Sequence, residues 1–181
     1  MDIVILGHNY APEFIGIAPC TTGMAEELAA RGHRVRVICG QPHYPAWTVA
    51  AEYRTRRPRR SVENGVAVHR LPLYVPRNPR GLRRILHHLS FAILAFVAML
   101  AALLVRRPDV IIAIAPSIAS TFVARLLAWL TRRPLWLHVQ DFEIDMAAAT
   151  GQLRADGRFI RTIERVALMG DRASSISADV R

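Results

Sequence analysis

Cysteine is nearly absent from this 181-residue chain, and lysine is wholly absent. Cys20 and Cys39 are too few for a disulfide framework, and no closely spaced Cys/His set marks a zinc site. Both thiols are expected to be reduced and buried as small apolar side chains. Charged residues are sparse, 21% against 52% hydrophobic, which excludes a disordered chain and suits one domain, 1–181, with a full hydrophobic core. Acidic residues are outnumbered: 14 Asp and Glu face 24 basic residues, all arginine, for a formal charge of +10. Such a surface suits nucleic acid, anionic lipid or a phosphorylated substrate, and charge alone does not choose among them.

Several motifs are missing as well. No GxGxxG and no Gly-Lys-Ser/Thr follow the first strand, and no Gly-x-Ser-x-Gly elbow occurs, so nothing argues for bound NAD, ATP hydrolysis or a serine hydrolase. No histidine and carboxylate spacing specifies a metal, and none is expected. Aromatic residues do not interleave with the basic runs, so nucleic acid is not an expected partner. Gly7 interrupts the first apolar run too early for a secretory leader, which makes a cytosolic compartment the expectation. There is no internal repeat or low-complexity segment.

What remains is the pattern of an α/β chain. Asp2 to Gly7 (DIVILG) has strand character, His8 to Pro19 is turn-like and polar, and Thr21 to Arg31 has helical apolar spacing ending at Gly32. Met24, Ala25 and Leu28 fall on one face, away from Glu26 and Glu27. This is the first β-loop-α of a Rossmann-like parallel sheet with helices on both faces, in which ligands sit beyond the carboxyl ends of the strands. Arg34 to Cys39 is the second strand, followed by a stiff, aromatic exit through Pro42, Pro45 and Trp47. Arg54 to Arg60 is a basic run, either a solvated loop or a phosphate or lipid contact. Val66 to Leu73 is a third strand, and a second basic connection carries Arg77, Arg80, Arg83 and Arg84.

Leu89 to Val105 is a run of 17 uncharged residues between arginines. Its length fits a short bilayer span, a buried crossover helix, or a helix that packs on the sheet while presenting an apolar, arginine-flanked surface to membrane. The crossover slot is favoured, because the strand Val110 to Ala115 follows at once. Ser117 or Ser120 is placed to cap a helix running to about Leu130, and Leu135 to His138 is the fifth strand. A helix near Phe159 to Met169 and a short strand Ala173 to Ile176 complete the reading.

Two places are suited to chemistry. The fifth strand delivers His138, Gln140, Asp141, Glu143 and Asp145 at its carboxyl end, either as binding and proton-transfer groups or as helix caps and solvated loop residues. In the first loop, Gly16 lets a backbone N–H at a helix start approach a phosphate or sugar oxygen closely, with the Ile17 N–H beside it.

The blocks HNYAPEFIGIAPCTTGMAEELAARGHRVRVICGQPHYP, LPLYVPRNPRGLRRILHHLSFA, RPDVIIAIAPSIAS and LHVQDFEID resemble the amino-terminal half of bacterial family 4 glycosyltransferases, in particular the WcaI-like subgroup associated with colanic acid and other exopolysaccharides. The resemblance implies half of a GT-B fold, the acceptor side, with the carboxyl-terminal donor-binding domain absent from this chain. It implies a retaining, metal-independent transfer from a nucleotide-sugar to a lipid-linked glycan at the cytoplasmic face of the membrane, with anionic membrane and a separate donor-binding domain as partners. Gly16 then corresponds to the loop glycine near the donor diphosphate. Many members carry a histidine at the place of Gln140, so Gln140, Asp141 and His138 are the catalytic candidates. Tyr10, Glu13, His43, Tyr44 and Glu143 are the candidates for lining the acceptor cleft. Without the second domain such a chain is expected to be inactive. The alternative is a non-catalytic module of the same fold that docks on membrane or on a partner.

Overall fold

The structure, a computed structural model, describes residues 1–115 and 117–139. In chain order it contains β1 (Asp2–Leu6), α1 (Ala18–Ala30), β2 (Arg34–Gly40), β3 (Arg59–Glu63), β4 (Val66–Leu71), α2 (Leu82–Val105), β5 (Val110–Ala115), α3 (Ile118–Thr131) and β6 (Leu135–Val139). The strands form one sheet in the order β3-β4-β2-β1-β5-β6. All neighbouring pairs are parallel except β3 with β4. The result is a mainly parallel, helix-flanked sheet of Rossmann type. Strand order reverses at β1, which pairs with β2 on one side and β5 on the other. The carboxyl ends of β1 and β5 therefore flank the crevice where such sheets place their ligands.

Alternation along the strands separates two cores. Ile3, Ile5, Val35, Val37, Val66, Val68, Ile112 and Ile114 face α1, where Ala25 is fully buried and Met24 and Leu28 pack at the margin. Val4, Leu6, Ile38, Leu71, Ile111 and Ala113 face α2 and α3, against Phe91, Ala95, Met99, Ala124 and Leu127. Central strands with both faces covered read as continuous apolar runs for this reason.

Local chemistry sets the element ends. Proline lies in the first turn of α1, where its missing N–H costs nothing, and Gly32 (φ +84°) lets the chain leave the helix, its N–H donating to the Ala29 carbonyl at 2.9 Å. Ser117 takes the N-cap position of α3, but its hydroxyl pairs with that of Ser120 at 2.8 Å and makes no capping bond.

The expected third strand was preceded by another. Arg59 and Arg60 of the basic run open β3, an exposed antiparallel edge strand joined to β4 through Asn64 (φ +47°) and Gly65 (φ +81°). Positive φ at both turn residues is the two-residue hairpin geometry that Asn-Gly favours. The strand ending in His138 is accordingly the sixth. A second correction concerns the thiols: Cys39 is buried in the sheet, whereas Cys20 is exposed on α1.

Helix α2 begins at Leu82, two turns before the apolar run. It is long and apolar enough to cross a membrane, yet it lies on the sheet and buries His87, Phe91, Ala92, Ala95, Ala98, Met99 and Leu103. Its other side exposes Leu82, Ile85, Leu86, Leu89, Ile93, Val97, Leu100 and Leu104. Its far end is locked to the amino edge of the sheet. The Asp2 carboxylate meets Arg36 and Arg106 at 2.7 Å each, and Arg36 also donates to the Ala102 and Arg106 carbonyls.

Candidate functional site

At the carboxyl edge of the sheet, the loops after β1 and β2 form one body. Glu13 joins them: its Oε1 accepts the backbone N–H groups of His43 and Tyr44 at 2.7 Å each, and its Oε2 accepts the Asn9 side-chain amide at 2.8 Å. The Gly40 N–H donates to the His8 carbonyl at 3.0 Å, and the Gln41 N–H to the Leu71 carbonyl at 3.1 Å. Arg70, itself buried, braces the first loop from below. It grips the Glu63 carboxylate with both terminal nitrogens and donates to the Ala11 carbonyl at 2.6 Å. These bonds hold the Glu63 carboxyl below its ordinary value of 4.5, with the Arg70 hydrogen bond the main cause.

Gly16 lies in the left-handed region (φ +70°), and a Cβ there would only touch the Tyr44 ring at 3.5 Å, so conformation rather than space calls for glycine. Ile17 is the N-cap of α1, with no side-chain capping bond, and the first-turn amides of α1 are presented beside the Gly16 turn.

The structure thus brings Tyr10, Glu13, Gly16, Ile17, His43 and Tyr44 together. Their exposures differ. Tyr44 is exposed, while Tyr10, Glu13 and His43 are buried. The Glu13 carboxylate is committed to holding the loops, and the Tyr10 ring packs in the core with Arg70 6.0 Å from its centroid. Burial raises the Tyr10 phenol pKa. His138 is half-buried on β6, in register with Ile114 and two strands from β1, a separation of about 10 Å. Gln140, Asp141 and Glu143 lie outside the described residues, as do Phe159 to Met169 and Ala173 to Ile176.

Sequence reasoning passed over a histidine cluster behind these loops. His8 follows β1, His43 follows β2, and His87 lies in the second turn of α2. All three are at most 4% exposed, and one ring nitrogen from each lies within 4.8 Å of the other two. His8 Nε2 is 2.9 Å from His87 Nε2. The Nδ1–H of His43 donates to the Gln41 carbonyl at 2.8 Å, and that of His87 to the Tyr74 carbonyl at 2.6 Å. Burial, reinforced by the neighbouring imidazoles, holds His8 well below 6.5 and His87 at about 4, the latter against the raising effect of the Tyr74 carbonyl. Trp47 and Phe91 enclose the group, with centroids 5.0 Å from His87 and 4.4 Å from His8 respectively. The visible signals were the histidine directly after the first strand and the His87–His88 pair, which have no recognisable spacing along the chain.

A family of glycosyl transferase 4-like domains matches residues 16–181. The chain is 43% identical over 153 residues to WcaI of Escherichia coli (strain K12), to which a glycosyl transferase role in colanic acid biosynthesis is ascribed. That alignment covers 83% of this chain and 37% of WcaI, so the chain spans little more than a third of this relative. Among solved structures, the glycotransferase of kitacinnamycin aligns with a TM-score of 0.51 at 20% identity, covering 91% of this chain and 38% of that one. The calicheamicin glycosyltransferase CalG4 aligns at 0.50 and 17% identity, covering 96% and 42%. These two likenesses concern the fold.

Proposed function

We propose, from the premise that this chain belongs to the glycosyl transferase 4-like family, that it is the acceptor-side domain, 1–181, of a retaining glycosyltransferase. The reaction moves a sugar from a nucleotide-sugar to a lipid-linked glycan in exopolysaccharide or cell-surface polysaccharide synthesis. The anomeric C–O bond to the diphosphate breaks with its electron pair leaving on the diphosphate. The acceptor oxygen bonds to the same face of that carbon and gives up its proton to the departing diphosphate oxygen.

The observation that carries this reading is the joined pair of loops after β1 and β2 at the carboxyl edge of the sheet, where the Gly16 turn, the amino end of α1 and the exposed Tyr44 meet. Backbone N–H groups at Gly16 and Ile17 face developing phosphate charge without a metal at the diphosphate. His138, Gln140 and Asp141 are assigned to the transferred sugar, and Tyr44 and Glu143 to the acceptor. A donor-binding second domain completes the charge stabilisation, so turnover requires it.

The exposed stripe on α2 supports a peripheral position on the cytoplasmic face of the membrane. Leu86, Leu89, Ile93, Val97, Leu100 and Leu104 recur every three or four residues, with exposed Arg77, Arg80 and Arg83 before them and Arg107 after. The same stripe favours a second reading, a non-catalytic membrane-docking module.

Transfer from radiolabelled nucleotide-sugars to a membrane lipid extract separates the two. The acceptor-domain reading expects no product from the folded chain alone and product when a WcaI-type carboxyl-terminal domain is fused to it. A folded fusion that makes no product with any donor, while the chain still binds vesicles, overturns it in favour of the docking module.

A further inference from the structure

We infer that His8, His43 and His87 form a structural binding site for one zinc-class dication, which ties both cleft loops to the start of α2. The site lies behind the cleft and stands apart from the transfer chemistry proposed above.

The three residues come from separate elements and converge in the interior, each at most 4% exposed, with donor nitrogens within 4.8 Å of one another. Their protonation suits metal ligation. A carbonyl can only accept, so the Nδ1 atoms facing Gln41 O and Tyr74 O carry the protons of His43 and His87, leaving a lone pair on each Nε2. A backbone carbonyl on the far ring nitrogen is the usual second contact of a metal-bound histidine, fixing tautomer and ring orientation.

Hydrogen bonding alone accounts poorly for the cluster. The ring nitrogens turned toward one another share a single contact, His8 Nε2 to His87 Nε2 at 2.9 Å, and the buried His8 Nδ1 has no partner among the described residues. Three imidazoles are thus buried for two carbonyl bonds and one inter-ring bond in which His8 Nε2–H donates to His87 Nε2, whereas an ion engages three lone pairs together once the His8 proton moves to Nδ1.

An all-nitrogen donor set selects zinc and its neighbours over magnesium or calcium, which require oxygen. Zinc–nitrogen bonds of about 2.0–2.1 Å around a tetrahedral ion place donors about 3.3 Å apart. The His8–His87 pair therefore opens slightly, and the widest pair closes by up to about 1.5 Å through side-chain rotation. His88 lies beside the group, its ring centroid 5.2 Å from those of both His8 and His87, but it is not one of the three donors, and the fourth position is left to a water molecule.

The test is metal content of the full chain by mass spectrometry after zinc loading and desalting. The expected result is about one zinc per chain, a melting temperature lowered by chelator, and tetrahedral d–d absorption after exchange for cobalt(II). His43→Gln and His87→Gln, checked for native far-UV circular dichroism, are expected to lower zinc affinity at least about tenfold, and His33→Gln is not. Should the glutamine variants fail to fold, His43→Cys retains a ligand, and its cobalt form must show thiolate charge transfer. A folded wild-type chain holding less than about 0.1 zinc, with a melting temperature unmoved by zinc, overturns the site. So do undiminished zinc in both folded glutamine variants and a cobalt-loaded His43→Cys without the thiolate band.

Discussion

Glu13 holds His43 in place from the neighbouring loop: one carboxylate oxygen accepts the N–H of His43 and that of Tyr44, each at 2.7 Å, in a buried position. The loops after β1 and β2 are thereby one unit. The carboxylate, a candidate for lining the acceptor cleft, shapes the surface that Tyr44 presents.

Replacing Glu13 by alanine strands two backbone donors away from water. The expected cost is about 2–4 kcal/mol, measured as a fall in the urea midpoint with unchanged m-value. Glu13→Gln keeps one acceptor but turns an amide N–H toward Asn9, so an intermediate loss is expected. A variant as stable as wild type contradicts the strut.

The Glu63–Arg70 pair makes a pH-dependent contribution. The Glu63 pKa is lowered in the folded state, so this stabilisation is present above the unfolded value near 4.5 and disappears as pH falls through the lower folded value. Thermal unfolding followed from pH 7 down into that range is expected to show a steeper acid loss in wild type than in Glu63→Gln. Parallel profiles contradict the linkage.

The two thiols are expected to react very differently. Burial pushes the Cys39 thiol up to about 12, and Cys20 is exposed on α1. At about pH 8 a maleimide should label one cysteine in the native chain and both in denaturant, with peptide mapping assigning the fast site to Cys20. Native labelling of Cys39 at a comparable rate means that the β2 core opens readily.

The exposed stripe on α2 predicts vesicle binding. Ile93→Glu and Val97→Glu place charge on the apolar face without entering the core, and are expected to weaken flotation with anionic vesicles about tenfold or more. Binding by wild type should fall with added salt, because the flanking arginines act through screened attraction. Equal flotation of wild type and variants places the contact elsewhere.

Much of the scaffold was legible along the chain because alternation and helical spacing act locally. DIVILG, RVRVIC and PDVIIAI announce strands covered on both faces, and Gly32 marks the end of α1. β3 was missed although Asn64-Gly65 is a strong hairpin signal, since the basic residues at Arg59 and Arg60 suggested a solvated run. Cys20 was misplaced because a helical cysteine is buried or exposed according to which face the sheet covers.

Composition and periodicity were sufficient for the Rossmann-type architecture, the placement of the loops at the working edge of the sheet and the apolar character of α2. Those properties follow from residues near one another in the chain. The Glu13 strut, the Arg70 brace beneath Ala11 and the meeting of His8, His43 and His87 join residues separated by 30 to 79 positions. Such contacts have no period, and they exist only once parallel strands and a crossover helix have brought distant segments to one edge of the sheet.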